Sequence, residues 1–324
     1  MANVVRRRAA GQISGEDIVV EAAWMYYHDA MNQSEIAKKL QVSRATVVNY
    51  LQEAREKGII RISLSDDAFT GHRAALALTQ KLGLKAAYVL PNGAGNQEQA
   101  FMRVALGAAE WLPDLLQQGD RLGVAWGRTI YEMAEAMEQH EMDDLVVSQL
   151  VGSMATPYGF TAEICSAHLA RALGAKCINL HAPAVLTDPD LAARLRQEPL
   201  IQSQLDALSH CNKSVFAAGS CQSDSHIVSS GVASQEDLDW YKAEGATGVI
   251  CGRFIDAQGE AIPGPLDERM IGVTLDRLKN LEMGLLVSDG LDKVEAMNAC
   301  IKGGYVTHVV TSADTAQAML DTAD

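Results

Sequence analysis

From about Gly71 onward, short apolar runs rich in Val, Ile and Leu alternate with amphipathic stretches, and nothing else in the chain limits its fold as strongly. A run of about four to eight apolar residues between helical stretches reads as a strand buried on both faces. Such strands joined by helical crossovers make a mostly parallel sheet covered by helices. The pattern predicts strands at Ala86–Leu90, Arg121–Ala125, Leu145–Val151, Cys177–His181, Ser214–Ala218, Val249–Cys251, Gly284–Ser288 and His308–Thr311. Helices are predicted at Glu98–Leu116, Ile130–Gln139, Glu163–Leu173, Gln235–Glu244, Leu291–Lys302 and Ala313–Leu320.

The first sixty residues have a different texture. Ile18, Ala22 and Met25 recur at helical spacing between Ile18 and Asp29. Asn32 followed by Glu35 forms a capping-box pattern that opens a short helix ending at Leu40. After a three-residue break, Ser43 caps a third helix with Val47, Leu51 and Ala54 as its buried stripe. Gly58 supplies a left-handed stop, and Ile60, Ile62 and Leu64 then alternate as in a short strand. Ser65–Thr70 is the best linker candidate, so residues 1–65 and 66–324 are expected as two domains.

Charge follows the same division. The chain carries a net −14, yet residues 1–62 hold nine Lys or Arg against seven Asp or Glu. Residues 63–324 hold 18 against 34, so an acidic body would repel DNA phosphates and confine any contact to the head. Hydrophobic residues make up 48%, enough for a sizeable core. No apolar run is long enough for a membrane span and none follows Arg6–Arg8, so a cytoplasmic protein is expected. The six cysteines contain no C-x-x-C pair and read as reduced core residues; the eight histidines show no tight metal spacing. No cofactor is expected.

The segment Gln33–Leu51 carries the most specific local signal. Two short helices around a tight turn pack through Ile36, Ala37, Leu40, Val42, Val47 and Leu51. The first turn of the second of them then presents Ser43, Arg44, Thr46, Asn49 and Tyr50. Arg44 suits a guanine edge and Asn49 an adenine, while Ser43, Thr46 and Tyr50 suit phosphates. The strand that follows would form a wing with Arg61 near phosphate. Arg6–Arg8 read equally as an arm on the DNA backbone or as a solvated tail.

The run Gln33–Leu64 resembles the head of SorC-type sugar-binding transcriptional regulators, with Arg44-Ala45-Thr46-Val47 where the family often has Arg-Pro-Thr-Val. The resemblance extends through the body. It implies a winged helix-turn-helix followed by a larger Rossmann-like α/β domain with the fold of sugar-phosphate isomerases. It also implies a homotetramer, a dimer of dimers, whose grip on operator DNA changes when a sugar, polyol or sugar phosphate binds.

Within the body, Gly123-Val-Ala-Trp-Gly-Arg-Thr129 leaves a strand and opens a helix, a turn that offers backbone N–H groups to an anion or a hydroxyl. Gly123, Trp126, Gly127, Arg128 and Thr129 are therefore effector candidates. The resemblance adds Thr156, Gly159 and Glu163, although Glu163 is also a plain helix-dipole residue. It adds Asp267, which reads almost as well as a solvated loop residue. Where the family usually has Asp, this chain has Val249; where it has two small residues before Gly290, this chain has Ser288-Asp289. Lys293 at a helix start is electrostatically odd unless an anion shares that end. Asp289 can pair with Lys293 or compete with a phosphate there, which raises the possibility of an unphosphorylated polyol. A sugar-phosphate isomerase with a DNA-binding head is the alternative; Asp267, Asp289 and Glu163 are its only carboxylate candidates, and they form no coherent acid–base set.

Overall fold

A computed structural model describes residues 15–60, 65–92, 96–154, 160–222 and 226–322. The chain divides into two compact units between Leu64 and Ser65.

In the first unit α1 (Gly15–Tyr27), α2 (Gln33–Leu40) and α3 (Arg44–Glu56) pack through Ala22, Met25, Ile36, Val47 and Leu51. The capping box forms: the Asn32 side chain accepts from the Ser34 and Glu35 amides, and Glu35 accepts from the Asn32 amide at 2.8 Å. Gln41 turns the chain with φ 55°, and Ser43 caps α3 by accepting from the Thr46 amide at 3.0 Å. Gly58 is left-handed (φ 66°) just past the end of α3. The expected wing strand falls largely on residues 61–64, which lie outside the described residues, as do Arg61 and Arg6–Arg8.

The second unit contains β1 (Ala86–Leu90), β2 (Arg121–Val124), β3 (Val146–Gln149), β4 (Lys176–Ile178), β5 (Lys213–Phe216), β6 (Gly219–Ser220), β7 (Gly248–Ile250), β8 (Arg253–Ile255), β9 (Met283–Val287) and β10 (His308–Ser312). Seven of them form one sheet in the order β1-β10-β9-β5-β2-β3-β4, with every pair parallel. The remaining three form a small antiparallel sheet. Successive strand residues enter opposite cores: Phe216, Leu286 and Val309 pack on one face, Val215, Leu285, Val287 and Val310 on the other. That two-sided burial is why the strands read as unbroken apolar runs.

The structure corrects several expectations. Residues 65–70 are not a free linker: α4 (Asp67–Thr70) buries Phe69, whose ring stacks on Tyr88 at 4.7 Å, and Tyr88 donates to Asp66. A single aromatic anchor suffices to dock a short polar segment. The apolar run at Leu145–Val151 leaves the sheet at its end: the Leu150 amide still donates to the Val124 carbonyl of β2, but the Leu150 carbonyl accepts from Val273 and Val151 bridges Gly272. The helices Arg73–Leu82, Pro189–Gln197 and Pro199–Leu208, and the hairpin partner β8, have no counterpart in the sequence reading. Five cysteines are buried, but Cys177 on edge strand β4 is exposed.

Candidate functional site

Strand β2 lies between β3 and β5, and the connections from β2 and β5 lead to opposite sides of the sheet. Backbone segments diverge at such a switch point and leave a crevice beyond the carboxyl ends of the strands. A cleft of roughly 690 Å³ lies there. Its walls come from the turn after β2 (Trp126–Thr129), the segment after β5 (Ala217–Ser220) and the loop after β9 (Asp289, Asp292 and Lys293). The start of the helix Gln97–Trp111 and the β7–β8 turn complete it.

The turn after β2 depends on Gly127. Its φ of +127° is closed to ordinary L-residues, although a Cβ there would meet nothing within 4 Å, so conformation rather than space requires glycine. Gly127 leaves the helix Arg128–Ala136 without a side-chain cap, and its first turn lines the cleft through Gly127, Arg128 and Thr129. Arg128 is bonded to Glu98 and lies 4.6 Å from the centre of the Phe101 ring. Trp126 and Phe160 stand 5.7 and 5.3 Å from the His226 ring. Desolvation in this setting, together with repulsion from Lys293, holds the His226 imidazole below its ordinary pKa.

The loop after β9 is held from below. Asp289 Oδ1 accepts hydrogen bonds from Ser312 and Thr315, the latter at 2.6 Å, and the Gly290 amide donates to Thr315 at 3.0 Å. Lys293 Nζ folds back to the Asp289 carbonyl at 3.1 Å. Gly290 has φ +119°, and a Cβ there would lie 2.5 Å from Asp292 Oδ1, so the Asp292 carboxylate closes over the loop.

Of the expected effector residues, Trp126, Gly127, Arg128, Thr129, Asp289 and Lys293 line this cleft. Gly123 does not. It lies within β2, where a Cβ would approach Leu150 Cδ2 to 2.6 Å, so its smallness serves packing. Glu163 is in the first turn of the helix Ala162–Ala172 and outside the cleft lining; its Oε2 is buried with no partner among the described residues. Asp267 is neither a solvated loop residue nor part of the cleft. It caps the helix Pro265–Arg269 through the Gly264 amide, accepts from Tyr241 at 2.6 Å and pairs with Arg253 at 2.5 Å beside a second cavity of roughly 680 Å³. With both oxygens engaged, it has little left to offer a ligand. Thr156 and Gly159 lie outside the described residues. The reading missed Glu98, Phe101, His226 and Asp292, which become neighbours only when separate crossovers converge. Val249 and Asp289, two of the positions that depart from the expected pattern, both line this cleft.

In the head, Arg44 and Asn49 are exposed on α3. Arg44 Nε donates to Gln33 Oε1 at 3.2 Å, so Gln33, not anticipated from sequence, orients the guanidinium. Val48 is 41% exposed one turn from Arg44, an apolar group of the kind that meets a thymine methyl. Ser43 and Thr46 bond each other at 2.8 Å as part of the cap, and the Tyr50 ring packs against the head core, so these three contribute first to folding.

Comparison with known proteins agrees with this fold. Residues 67–321 match the Sugar-bind family of sugar-binding domains. The transcriptional regulator YjhU of Escherichia coli strain K12 is 34% identical over 97% of this chain and 98% of its own. The deoxyribonucleoside regulator of Bacillus subtilis strain 168 is 27% identical over 94% and 98%. The full-length sorbitol operon regulator SorC of Klebsiella pneumoniae shares the fold, with a TM-score of 0.78 at 23% identity over 95% of this chain and all of that one. No helix among the described residues is long and apolar enough to cross a membrane. The chain belongs to the SorC-type family of transcriptional regulators with a sugar-binding domain.

Proposed function

We propose that the cleft is an effector site through which a sugar, polyol or sugar phosphate controls how the head engages double-stranded operator DNA. The observation that carries this reading is the position of the cleft. It opens at the switch point of a parallel sheet, in a sugar-binding domain that shares its chain with a helix-turn-helix head. The relatives' names, a deoxyribonucleoside regulator and a sorbitol operon regulator, favour a carbohydrate-type effector.

Arg44 and Asn49 read base edges, with Gln33 holding the guanidinium in place, and Ser43, Thr46, Tyr50 and Arg61 support the phosphate contacts. The working form is a cytoplasmic homotetramer whose paired heads meet repeated half-sites. The effector acts by binding one arrangement of the assembly more tightly than another, a coupling of about 1–3 kcal/mol in typical cases. The chain is a regulator and not an enzyme: Asp289 is held in its loop by Ser312 and Thr315 and Glu98 is paired with Arg128, so these carboxylates are not set as an acid and a base.

The test is operator binding by the full chain, using a fragment recovered by binding-site selection, with and without matched free and phosphorylated sugars. A shift in apparent affinity of about fivefold or more with one compound class is expected. Unchanged DNA affinity across the panel, or turnover of a sugar phosphate by the purified protein, would overturn the reading.

A further inference from the structure

The cleft has two ends that attract anions, and the chain has placed its own carboxylates at both. One is the start of the helix Arg128–Ala136, which has no side-chain cap and whose dipole favours negative charge. Glu98 already occupies that neighbourhood, bonded to Arg128 in the first turn. The other is the loop that carries Lys293. Its single cation shares the cleft wall with Asp289 and Asp292, and its Nζ is turned onto the Asp289 carbonyl.

The amides of that loop are also partly spent. The Gly290 N–H is taken by Thr315, and the Lys293 N–H by the Gly290 carbonyl. The Asp289 carboxylate cannot easily swing away, because Ser312 and Thr315 both hold its Oδ1 from beneath the loop. Asp292 Oδ1 lies close over the Gly290 Cα. Among the described residues, the charged ones lining the cleft are Glu98, Asp289 and Asp292 against Arg128 and Lys293, a net negative set before any ligand enters. The other walls set apolar and aromatic groups, among them Phe101, Trp126, Ile227 and Val249, beside the small Ala217–Ser220 segment and the polar Asn96, Gln97 and His226. Carboxylates that accept from hydroxyls, set between aromatic and apolar faces, suit an uncharged polyhydroxylated molecule.

We infer that Asp289, seconded by Asp292, makes this cleft select an uncharged sugar or polyol and reject its phosphate ester. The inference rests on the cleft being the effector site. It assigns to two residues a discrimination that the position of the cleft alone does not supply. A phosphate dianion at the Lys293 loop would share that wall with the half-buried Asp289 carboxylate and the exposed Asp292 carboxylate, and like-charge repulsion opposes it most at Asp289, the less solvated of the two.

The test uses inorganic phosphate and ribose 5-phosphate as probes on the full-length protein, read by calorimetric titration and by shift of the melting temperature. The wild-type chain is expected to give no saturable response to either probe. D289N keeps the acceptor for Ser312 and Thr315 while removing the charge, and D289N/D292N removes both charges. The double variant is expected to bind both probes at least about tenfold tighter than wild type. Adding Lys293→Met to it should abolish that gain. Saturable phosphate binding by the wild type overturns the inference, and so does a folded double variant that gains no phosphate affinity. Neither result depends on operator binding. If the charge variants gain phosphate affinity but no small molecule alters DNA affinity, the selectivity stands and the effector reading fails.

Discussion

Thr315 Oγ1 donates to Asp289 Oδ1 at 2.6 Å while it accepts from the Gly290 amide at 3.0 Å. One buried hydroxyl thus ties the loop after β9 to the first turn of the helix Ala313–Asp321. The same loop supplies a wall of the cleft, so packing beneath the sheet end sets the geometry that a ligand meets. Thr315→Val keeps the volume and deletes the hydroxyl, leaving the Gly290 amide without its partner. The expected cost is about 1–3 kcal/mol, read from the urea midpoint of the intact chain, with a weakened effector response.

A second prediction concerns the opposite end of the sheet. Lys213 Nζ and Asp120 Oδ2 lie 2.6 Å apart with side chains only 7% and 8% exposed. Asn212 and the Gln117 amide complete the shell around the carboxylate. Lys213→Met leaves that carboxylate buried without its cation and should destabilise by about 3–5 kcal/mol. Asp120→Asn combined with Lys213→Met should recover part of the loss, a comparison that equilibrium denaturation of the variants makes directly.

Arg44→Ala should weaken specific operator binding by roughly 1–3 kcal/mol and relax preference at one base pair. Gln33→Ala should cost less, because it removes the residue that orients the guanidinium and not the guanidinium itself. Anisotropy titrations against the selected operator and single-base variants separate the two. An Arg44→Ala protein with unaltered affinity would remove Arg44 from the reading face.

Acid should destabilise the body through His308. Burial first, then repulsion from Lys85 and Lys213, pushes its imidazole down to about 4 from 6.5. The unfolded chain therefore takes up a proton as the pH falls through 6.5 while the folded chain does not. Stability present above 6.5 is lost progressively toward pH 4, on the order of 2 kcal/mol from this residue. His308→Gln should flatten the urea-midpoint profile in that window; a profile identical to wild type would exclude His308 as its source.

The position of the domain boundary makes a deletion test sharp. A chain starting at Ser65 should fold and bind small molecules with no DNA affinity. One starting at Gly71 loses Phe69 and the Asp66 acceptor of Tyr88, and should be less stable by about 3 kcal/mol. Equal melting temperatures for the two fragments would restore residues 65–70 as a linker.

What the sequence determined by itself was local or periodic. Asn32 with Glu35, and Ser43 before Val47 and Leu51, fix two helix starts and a buried stripe, because capping and burial act within a few residues. Unbroken apolar runs fixed the parallel sheet, because a strand covered on both faces has no polar side to show. Strand order, and with it the switch point between β2 and β5, was decided only by the tertiary structure, since every such strand looks alike in sequence. The cleft shares that dependence: Glu98, Arg128, His226 and Asp289 come from four separate crossovers. Gly123 and Asp267 show the converse. Each sits in a stretch that reads as a binding motif, but Leu150 in one case, and Tyr241 with Arg253 in the other, claim them for packing and ion pairing from distant parts of the chain.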